Sequence, residues 1–346
     1  MIKVRPARAS DNEALLSIHK NSPQGTTIIL STDSSPDYFN RTKAYKNSHV
    51  FVAEENGKVV GSSSCAILDT VIDGKPCKAR YGFGVMVDPA HRRKGVAYQL
   101  GNQALHLLNE EVDLRFAIII QGNTPSISLI TKRGSKLMRD FHSVALFVYK
   151  GPPSEHPEYI RPMREEDTED VVALLNRHYK GYDLYKPYTK TSFLQEIERK
   201  PFYELSDINL YVDEDGVRAC LGLWDYNKIL RLSILDIPQE MIDQSIASNA
   251  PFIPEKGLTL VNYYGTHLAY DDEGIVMDLV RHSLNELSNR EAHYLQIPLD
   301  VESQAYGLLS KLPNMMTPFH IFAKPSEGKE FPGMGKNPVY VDSAHL

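Results

Sequence analysis

Residues 81–97 read Tyr81-Gly82-Phe83-Gly84-Val85-Met86-Val87-Asp88-Pro89-Ala90-His91-Arg92-Arg93-Lys94-Gly95-Val96-Ala97. The apolar, β-branched opening predicts a strand ending at Val87, stopped by Pro89, which cannot donate to a ladder. A basic turn containing Gly95 follows. Ala97, Leu100, Ala104, Leu107 and Leu108 then recur on one face of a predicted helix. A strand, a tight turn and a helix N-terminus gather unpaired backbone N–H groups at one point. With the helix dipole they make an anion site suited to phosphate. Gly95 lets a ligand approach the backbone, and Arg92, Arg93 and Lys94 add positive charge around it. The chain contains neither a G-x-x-x-x-G-K-[ST] phosphate loop nor a G-x-G-x-x-G dinucleotide fingerprint.

Downstream, Arg115-Phe116-Ala117-Ile118-Ile119-Ile120 is a β-branched run of the kind found in buried strands. It leads through Gln121-Gly122 to Asn123-Thr124-Pro125. Thr124 is expected as an N-cap and Pro125 as the first helical residue. A short helix through Ile127, Leu129 and Ile130 is then ended by Gly134.

The order strand, Val87-x-Pro89, Arg92-x-x-Gly95-x-Ala97, helix resembles the acetyl-CoA-binding motif of the GCN5-related N-acetyltransferase (GNAT) superfamily. The resemblance implies that acetyl-CoA binds along Val85, Met86, Val87, Arg92, Arg93, Lys94, Gly95, Val96, Ala97 and Tyr98. The splayed strand end at Val85–Val87 would supply an N–H to polarise the thioester carbonyl. Asn123 matches the family's residue that contacts the pantetheine arm, although an Asn in that place also suits a simple turn. Gly82 and Gly84 mark either a bulge that frees such N–H groups or a close packing contact. The sequence departs from the family at three points. Ile130 stands where many members carry a thiolate-protonating Tyr, Gly134-Ser135 replaces a Gly-Phe pair, and Ala117, Ile118 and Ile119 offer no catalytic Glu. The catalytic acid and base are therefore unassigned. Glu54, Glu55 and His91 read as solvated, and Tyr81 as either an acceptor-cleft or a core residue.

A weak internal repeat sets the domain organisation. Val4-Arg5-Pro6-Ala7-Arg8-Ala9-Ser10-Asp11 returns as Ile160-Arg161-Pro162-Met163-Arg164-Glu165-Glu166-Asp167, with Arg, Pro, Arg and Asp in register. Asp11 and Asp167 sit where N-caps belong, ahead of helices in which Leu15, Leu16 and Ile18 match Val171, Val172 and Leu174. The hairpin around Asn56-Gly57 is echoed by the one around Asp215-Gly216. The proline-rich stretch Gly151–Pro157 separates the copies. The expected architecture is two fused α/β (α+β) domains, 1–150 and 151–346, each a mixed, mostly antiparallel sheet flanked by helices.

In the second copy Asp271-Asp272-Glu273 replaces the basic loop, and such acids repel a pyrophosphate. That half is expected to be degenerate, with Asp300 roughly where Asn123 stands; Tyr179, Tyr182, Tyr185 and Tyr188 suit an acceptor pocket, but core or domain contacts are the expectation. The tail Pro338–Leu346 is expected to pack or fray. In some tandem acetyltransferases, however, the terminal carboxylate enters the first domain's active site. The stretch from Asn21 to Tyr45, with Thr26, Thr27, Asp33 and Ser34–Phe39, corresponds by resemblance to the helices that flank the family's acceptor cleft.

Composition limits the alternatives. Of 346 residues 42% are hydrophobic and 24% charged, which is too apolar for disorder. Lys plus Arg number 38 against 44 Asp plus Glu, so the net charge of −6 gives no footprint for nucleic acid. No apolar run approaches the ~20 residues of a membrane helix, the N-terminus has no signal-peptide h-region, and Cys65, Cys77 and Cys220 suggest neither disulfides nor a metal site. The expectation is a cytoplasmic acetyltransferase that uses acetyl-CoA, an amine acceptor and no metal. The competing reading is a non-catalytic acyl-CoA-binding module acting through a partner. Oligomeric state is open, a homodimer included.

Overall fold

A computed structural model describes residues 2–25, 27–108, 111–248 and 250–346, and so leaves Thr26 of the acceptor stretch outside. The first half runs β1 (Lys3–Pro6), α1 (Asn12–Lys20), β2 (Ile29–Asp33), α2 (Asn40–Lys43), β3 (Ser48–Glu55) and β4 (Lys58–Ile72). It continues with β5 (Lys75–Val87), α3 (Val96–Leu108), β6 (Leu114–Ile120), α4 (Thr124–Thr131) and β7 (Lys136–Phe147). The second half runs β8 (Ile160–Pro162), α5 (Thr168–His178), α6 (Lys190–Arg199), β9 (Ile208–Asp213), β10 (Gly216–Asp225), β11 (Arg231–Asp236) and α7 (Gln239–Ala247). Then come β12 (Thr259–Leu260), β13 (Asn262–Tyr270), α8 (Glu273–Ser288), β14 (Tyr294–Asp300), α9 (Gln304–Leu309) and β15 (Asn314–Pro325).

Twelve strands form one sheet in the order β1-β3-β4-β5-β6-β15-β7-β14-β13-β10-β9-β8. That order reads the same from both ends once β8, β9, β10, β13, β14 and β15 are matched to β1, β3, β4, β5, β6 and β7. The duplication seen in the sequence is thus a pseudo-symmetric fold, mixed and mostly antiparallel. Its parallel pairs are β5 with β6 and β13 with β14. Each half's last strand is exchanged: β15 pairs with β6, β7 pairs with β14, and the two pair with each other. At their crossing Phe141 and Phe319 stack at 5.3 Å. A smaller sheet, β12-β11-β2, also joins the halves.

The repeated Arg-Pro-x-Arg-x-x-Asp motif has a structural purpose other than the expected capping. Asp11 makes no cap hydrogen bond to α1; it accepts both terminal nitrogens of Arg5, at 2.7 and 2.9 Å, and the Arg8 N–H at 2.7 Å. Asp167 does the same with Arg161, at 2.7 and 2.7 Å, and with the Arg164 N–H at 2.8 Å. A bidentate guanidinium outcompetes a single amide for a carboxylate, because each of its bonds is charge-assisted. Arg5 also binds Glu54 at 2.9 Å, so Glu54 is paired rather than simply solvated. The tyrosines Tyr179, Tyr182, Tyr185 and Tyr188 pack on one another and into the main core, as expected.

Candidate functional site

The site begins as a defect in strand pairing. Opposite β4, Ser62 faces Met86 but Ser64 faces Phe83, so Gly84 and Val85 together oppose Ser63. This is a β-bulge, and Gly84 takes the φ of +61° that it needs. On the other side β5 pairs with β6 only as far as Gly82 and Ala117. Beyond that point no pairing joins the two parallel strands, so the β5 flank at Val85–Val87 that faced β6 is left open. Val85 is 49% and Ile120 37% exposed, so apolar side chains edge the opening.

The basic turn sits at the end of the same strand. Asp88 caps a one-turn 3-10 helix by accepting from the Ala90 N–H at 2.8 Å. The Arg92 Nε donates to the Val87 carbonyl at 3.2 Å. Arg93 and Gly95 have φ of +62° and +77°, which turns the chain into α3. Arg92, Arg93, Lys94 and Gly95 are exposed, and nothing lies within 4 Å of where a Cβ on Gly95 would stand. Helix α3 is anchored through Val96 and Leu100, both buried, with Ala104 and Leu108 packed against them; Leu107 faces out instead. Tyr98 is 53% exposed beside the turn. Arg133, which sequence reasoning passed over, donates to the Tyr98 carbonyl at 2.7 Å and stacks on its ring at 5.2 Å. It ties the end of α4 to the first turn of α3 and crosses at Gly101, where any Cβ would collide with the guanidinium.

Asn123, and not Thr124, is the N-cap of α4; its Oδ1 accepts from the Ser126 N–H at 3.2 Å. An Asn carboxamide has separate acceptor and donor ends, so its NH₂ remains available to a ligand in the opening. Gly134 closes α4 with φ of +86°. His91 lies 3.4 Å from Glu55 and 3.6 Å from Asp88 on the outer side of the turn.

The opposite side of the bulge is walled by the stretch between β2 and β3. The Tyr38 hydroxyl is hydrogen-bonded to Ser62 at 3.1 Å and lies 4.0 Å from where a Cβ on Gly84 would stand. Burial pushes the Tyr38 phenol up, so it stays protonated. His19 packs edge-on to Tyr38 and is hydrogen-bonded to Ser34 at 3.0 Å. Burial, helped by the charge of Arg41, pushes its imidazole down to about 4. Tyr81 is a core residue, 1% exposed and pushed up to about 12 by burial. Its ring stacks on Phe83 and Phe116. The C-terminal tail also reaches this wall. Tyr81 donates to the His345 carbonyl at 2.5 Å, Tyr45 donates to the Ala344 carbonyl at 2.6 Å, and the His345 ring stacks on Tyr45 at 5.8 Å. The tail therefore packs, as one of the two expectations held.

In the second half β13 carries the matching bulge, at His267–Leu268 opposite Leu221, with His267 at φ of +52°. Strands β13 and β14 part beyond Tyr264 and Gln296. Their opening holds protein. Val339 donates to Asp300 at 2.9 Å, Ser343 donates to the Gly265 carbonyl, and Tyr340 and Val341 fill the space between. Asp300, with a fully buried side chain, also holds Arg139 of β7 through bonds of 2.8 and 2.9 Å. At the start of α8 the Asp272 carboxylate accepts from the Gly274 and Ile275 N–H groups, and Asp271 is paired with Arg177. Among the described residues no group of three or more His, Cys, Asp or Glu could hold a metal, and no helix is long and apolar enough to cross a membrane.

Residues 3–122 match the family model described as "Acetyltransferase (GNAT) domain". No curated protein sequence matches the chain. Among solved structures, Saccharomyces cerevisiae N-myristoyltransferase with bound myristoyl-CoA is similar at 11% identity and a TM-score of 0.64. That alignment covers 98% of this chain and 89% of that one. A tandem GNAT protein from the clavulanic acid biosynthesis pathway aligns at 11% identity and TM-score 0.58, over 95% of this chain and 100% of that one. A GCN5-related glucosamine N-acetyltransferase region of a fungal multi-domain GH3 β-N-acetylglucosaminidase gives 16% identity and TM-score 0.62, over 94% of this chain and 38% of that one. At such identities these structures speak for the fold. The first half thus matches a GNAT acetyltransferase domain model, and the whole chain shares its fold with a tandem GNAT structure.

Proposed function

We propose that the first half binds acetyl-CoA and transfers its acetyl group directly to an amine, while the second half is a degenerate partner that supports the acceptor side. The observation that carries this reading is the coincidence of three features at one place. These are the opening after Gly82 and Ala117, the bulge at Gly84–Val85, and the exposed Arg92–Gly95 turn at the N-terminus of α3. The pyrophosphate would lie on the N–H groups of Arg93–Ala97, flanked by Arg92 and Lys94. The pantetheine arm would pass between Val85–Val87 and Asn123, beside Tyr98. In the reaction the amine nitrogen forms a bond to the thioester carbon, the carbon–sulfur bond breaks, and the amine gives up one proton. The Val85 or Met86 N–H stabilises the oxygen that becomes negative. Water at the open cleft is the proton acceptor, at a rate set by the fraction of free amine. The neutral Tyr38 hydroxyl beside Gly84 is placed to give the departing thiolate its proton, the role Ile130 cannot fill.

Purified protein mixed with acetyl-CoA and a panel of amines tests the reading by thiol release. Thiol appearing only with amine supports transfer. Tight acetyl-CoA binding without turnover across the panel would replace the enzyme by the acyl-CoA-binding module, and titration with longer acyl-CoAs measures acyl preference in the same assay.

A further inference from the structure

Among the described residues Arg41 is a guanidinium with no ion-pair partner. It projects from α2 over the ring of Phe83, 4.8 Å from the centroid, with Tyr45, Tyr81, Tyr226 and Tyr264 around it. Among the described residues its side chain makes a stretched bond from Nη2 to the His345 carbonyl at 3.3 Å and faces the Tyr81 hydroxyl, a neutral group. Its Nε is buried with no acceptor. Among the described residues no Asp or Glu side chain lies within ion-pair range of it. Three other enclosed arginines, Arg5, Arg139 and Arg161, are each locked to an aspartate at 2.7–2.8 Å. Holding a cation among aromatic rings without an anion costs stability, and Phe83 offsets only part of it. The residue is not fully enclosed and keeps some exposure.

We infer that Arg41 receives the carboxylate of the acceptor, which makes the acceptor class a small amino acid-like molecule with amine and carboxylate a few bonds apart. This deepens the acyl-transfer reading above and rests on it. The scale follows from position. Phe83, under Arg41, is the neighbour of the bulge residue Gly84, and Tyr38, three residues before Arg41, places its hydroxyl beside Gly84. An anion on Arg41 therefore holds an amine only a short way from the thioester carbon. A carboxylate fits better than a phosphate, because a single planar fork matches its two oxygens and, among the described residues, no second cation is seen to pair with that group. A charge-assisted pair also displaces the 3.3 Å bond to a neutral carbonyl at a net gain.

The test compares N-acetyl-amino acids, the products of such a reaction, with their carboxamides, titrated into the protein in the presence of CoA. The expected result is at least tenfold tighter binding of some acid over its amide. Arg41→Gln erases that preference and Arg41→Lys keeps part of it, while acetyl-CoA affinity stays unchanged in both. Equal binding of acids and amides, no binding by any acid, or a preference that survives Arg41→Gln would each overturn the assignment. The wild-type comparison decides alone if a variant fails to fold. Loss of acetyl-CoA binding by the wild type would instead count against the acyl-transfer reading itself.

Discussion

The two halves build the same opening and then treat it in opposite ways. In the first, the bulge at Gly84–Val85 and the parting of β5 from β6 leave a slot, and the turn at its mouth is basic and exposed. In the second, the bulge at His267–Leu268 and the parting of β13 from β14 leave a slot that the segment 339–343 occupies. The turn at that mouth supplies its own anion, the Asp272 carboxylate, to the helix N–H groups. Even the bulge is sealed: His267 lies between Glu196 and Tyr203, at 3.1 Å from each, and Glu196 binds Lys200 at 2.9 Å. Although burial works against it, Lys200 and His267 hold the Glu196 carboxyl well below its usual range. In the second half the slot thus stays in place and is filled from within.

The largest effect expected is on the open slot. Gly95→Glu puts a carboxylate where the pyrophosphate would lie and should weaken acetyl-CoA binding by more than about a hundredfold, since like-charge repulsion and the blocked backbone N–H groups together cost about 3 kcal/mol. Because Gly95 has φ of +77°, a side chain also adds about 1–2 kcal/mol of backbone strain. Gly95→Asn, which tolerates that conformation, separates the two contributions. Calorimetry showing equal affinity for wild type and Gly95→Glu would remove the phosphate site from this turn.

The next effect concerns the filled slot. Asp300 holds Arg139 of β7 and the Val339 N–H of the tail together, with no solvent exposure of its side chain. Asp300→Ala leaves a nearly buried guanidinium paired only with the exposed Glu302, and should cost about 3–5 kcal/mol. In thermal unfolding that is a fall in Tm on the order of 10 °C. A shift under about 2 °C would mean that the tail and the exchanged strand do not depend on this pair.

Where the tail meets the first half, pH supplies a milder test. Burial pushes the His345 imidazole down to about 4, from an ordinary value of 6.5. The unfolded chain then binds more protons than the folded one between those values, so stability is full above about pH 6.5 and declines as pH falls toward 4. His19, also pushed down to about 4, adds a slope of the same sign. His345→Leu should flatten part of the Tm–pH curve in that window and leave the rest to His19. An unchanged curve would show that the His345 ring takes a proton without leaving its site.

Much of this was legible in the residues, and the reason is locality. The strand–turn–helix at Tyr81–Ala97, the repeat at Arg5 and Arg161, and the three acids at Asp271–Glu273 are each contained in a short stretch whose chemistry needs no distant partner. What stayed hidden depends on long-range contact. The exchange of β7 and β15 cannot be read from either strand, since both look like ordinary strands of their own half. Asp11 resembled a helix cap until Arg5 was seen folded onto it. Arg41 sits in a polar stretch that could have been any loop, and only the absence of a nearby acid in three dimensions marks it. Asp37 even stands four residues before it, at helical spacing, but pairs with Lys43 at 2.7 Å, which the sequence does not reveal.

The smallest expected effect asks whether charge or occupancy keeps the second slot from binding. Asp272→Ala removes the cap of α8 and should cost about 1 kcal/mol of stability. It also frees the Gly274 and Ile275 N–H groups, restoring an anion-binding helix start. If the acidic turn alone excluded CoA, this change combined with Asp271→Asn would create a second site. The slot between β13 and β14 nevertheless stays filled by Val339–Ser343, whose Val339 and Val341 side chains are buried. A pantetheine arm would have to displace them, and exposing two such side chains costs about 3 kcal/mol or more. Calorimetry of the double variant should therefore keep the wild-type stoichiometry for acetyl-CoA. A doubled stoichiometry would show that electrostatics at the turn, and not the tail in the slot, separates the two halves.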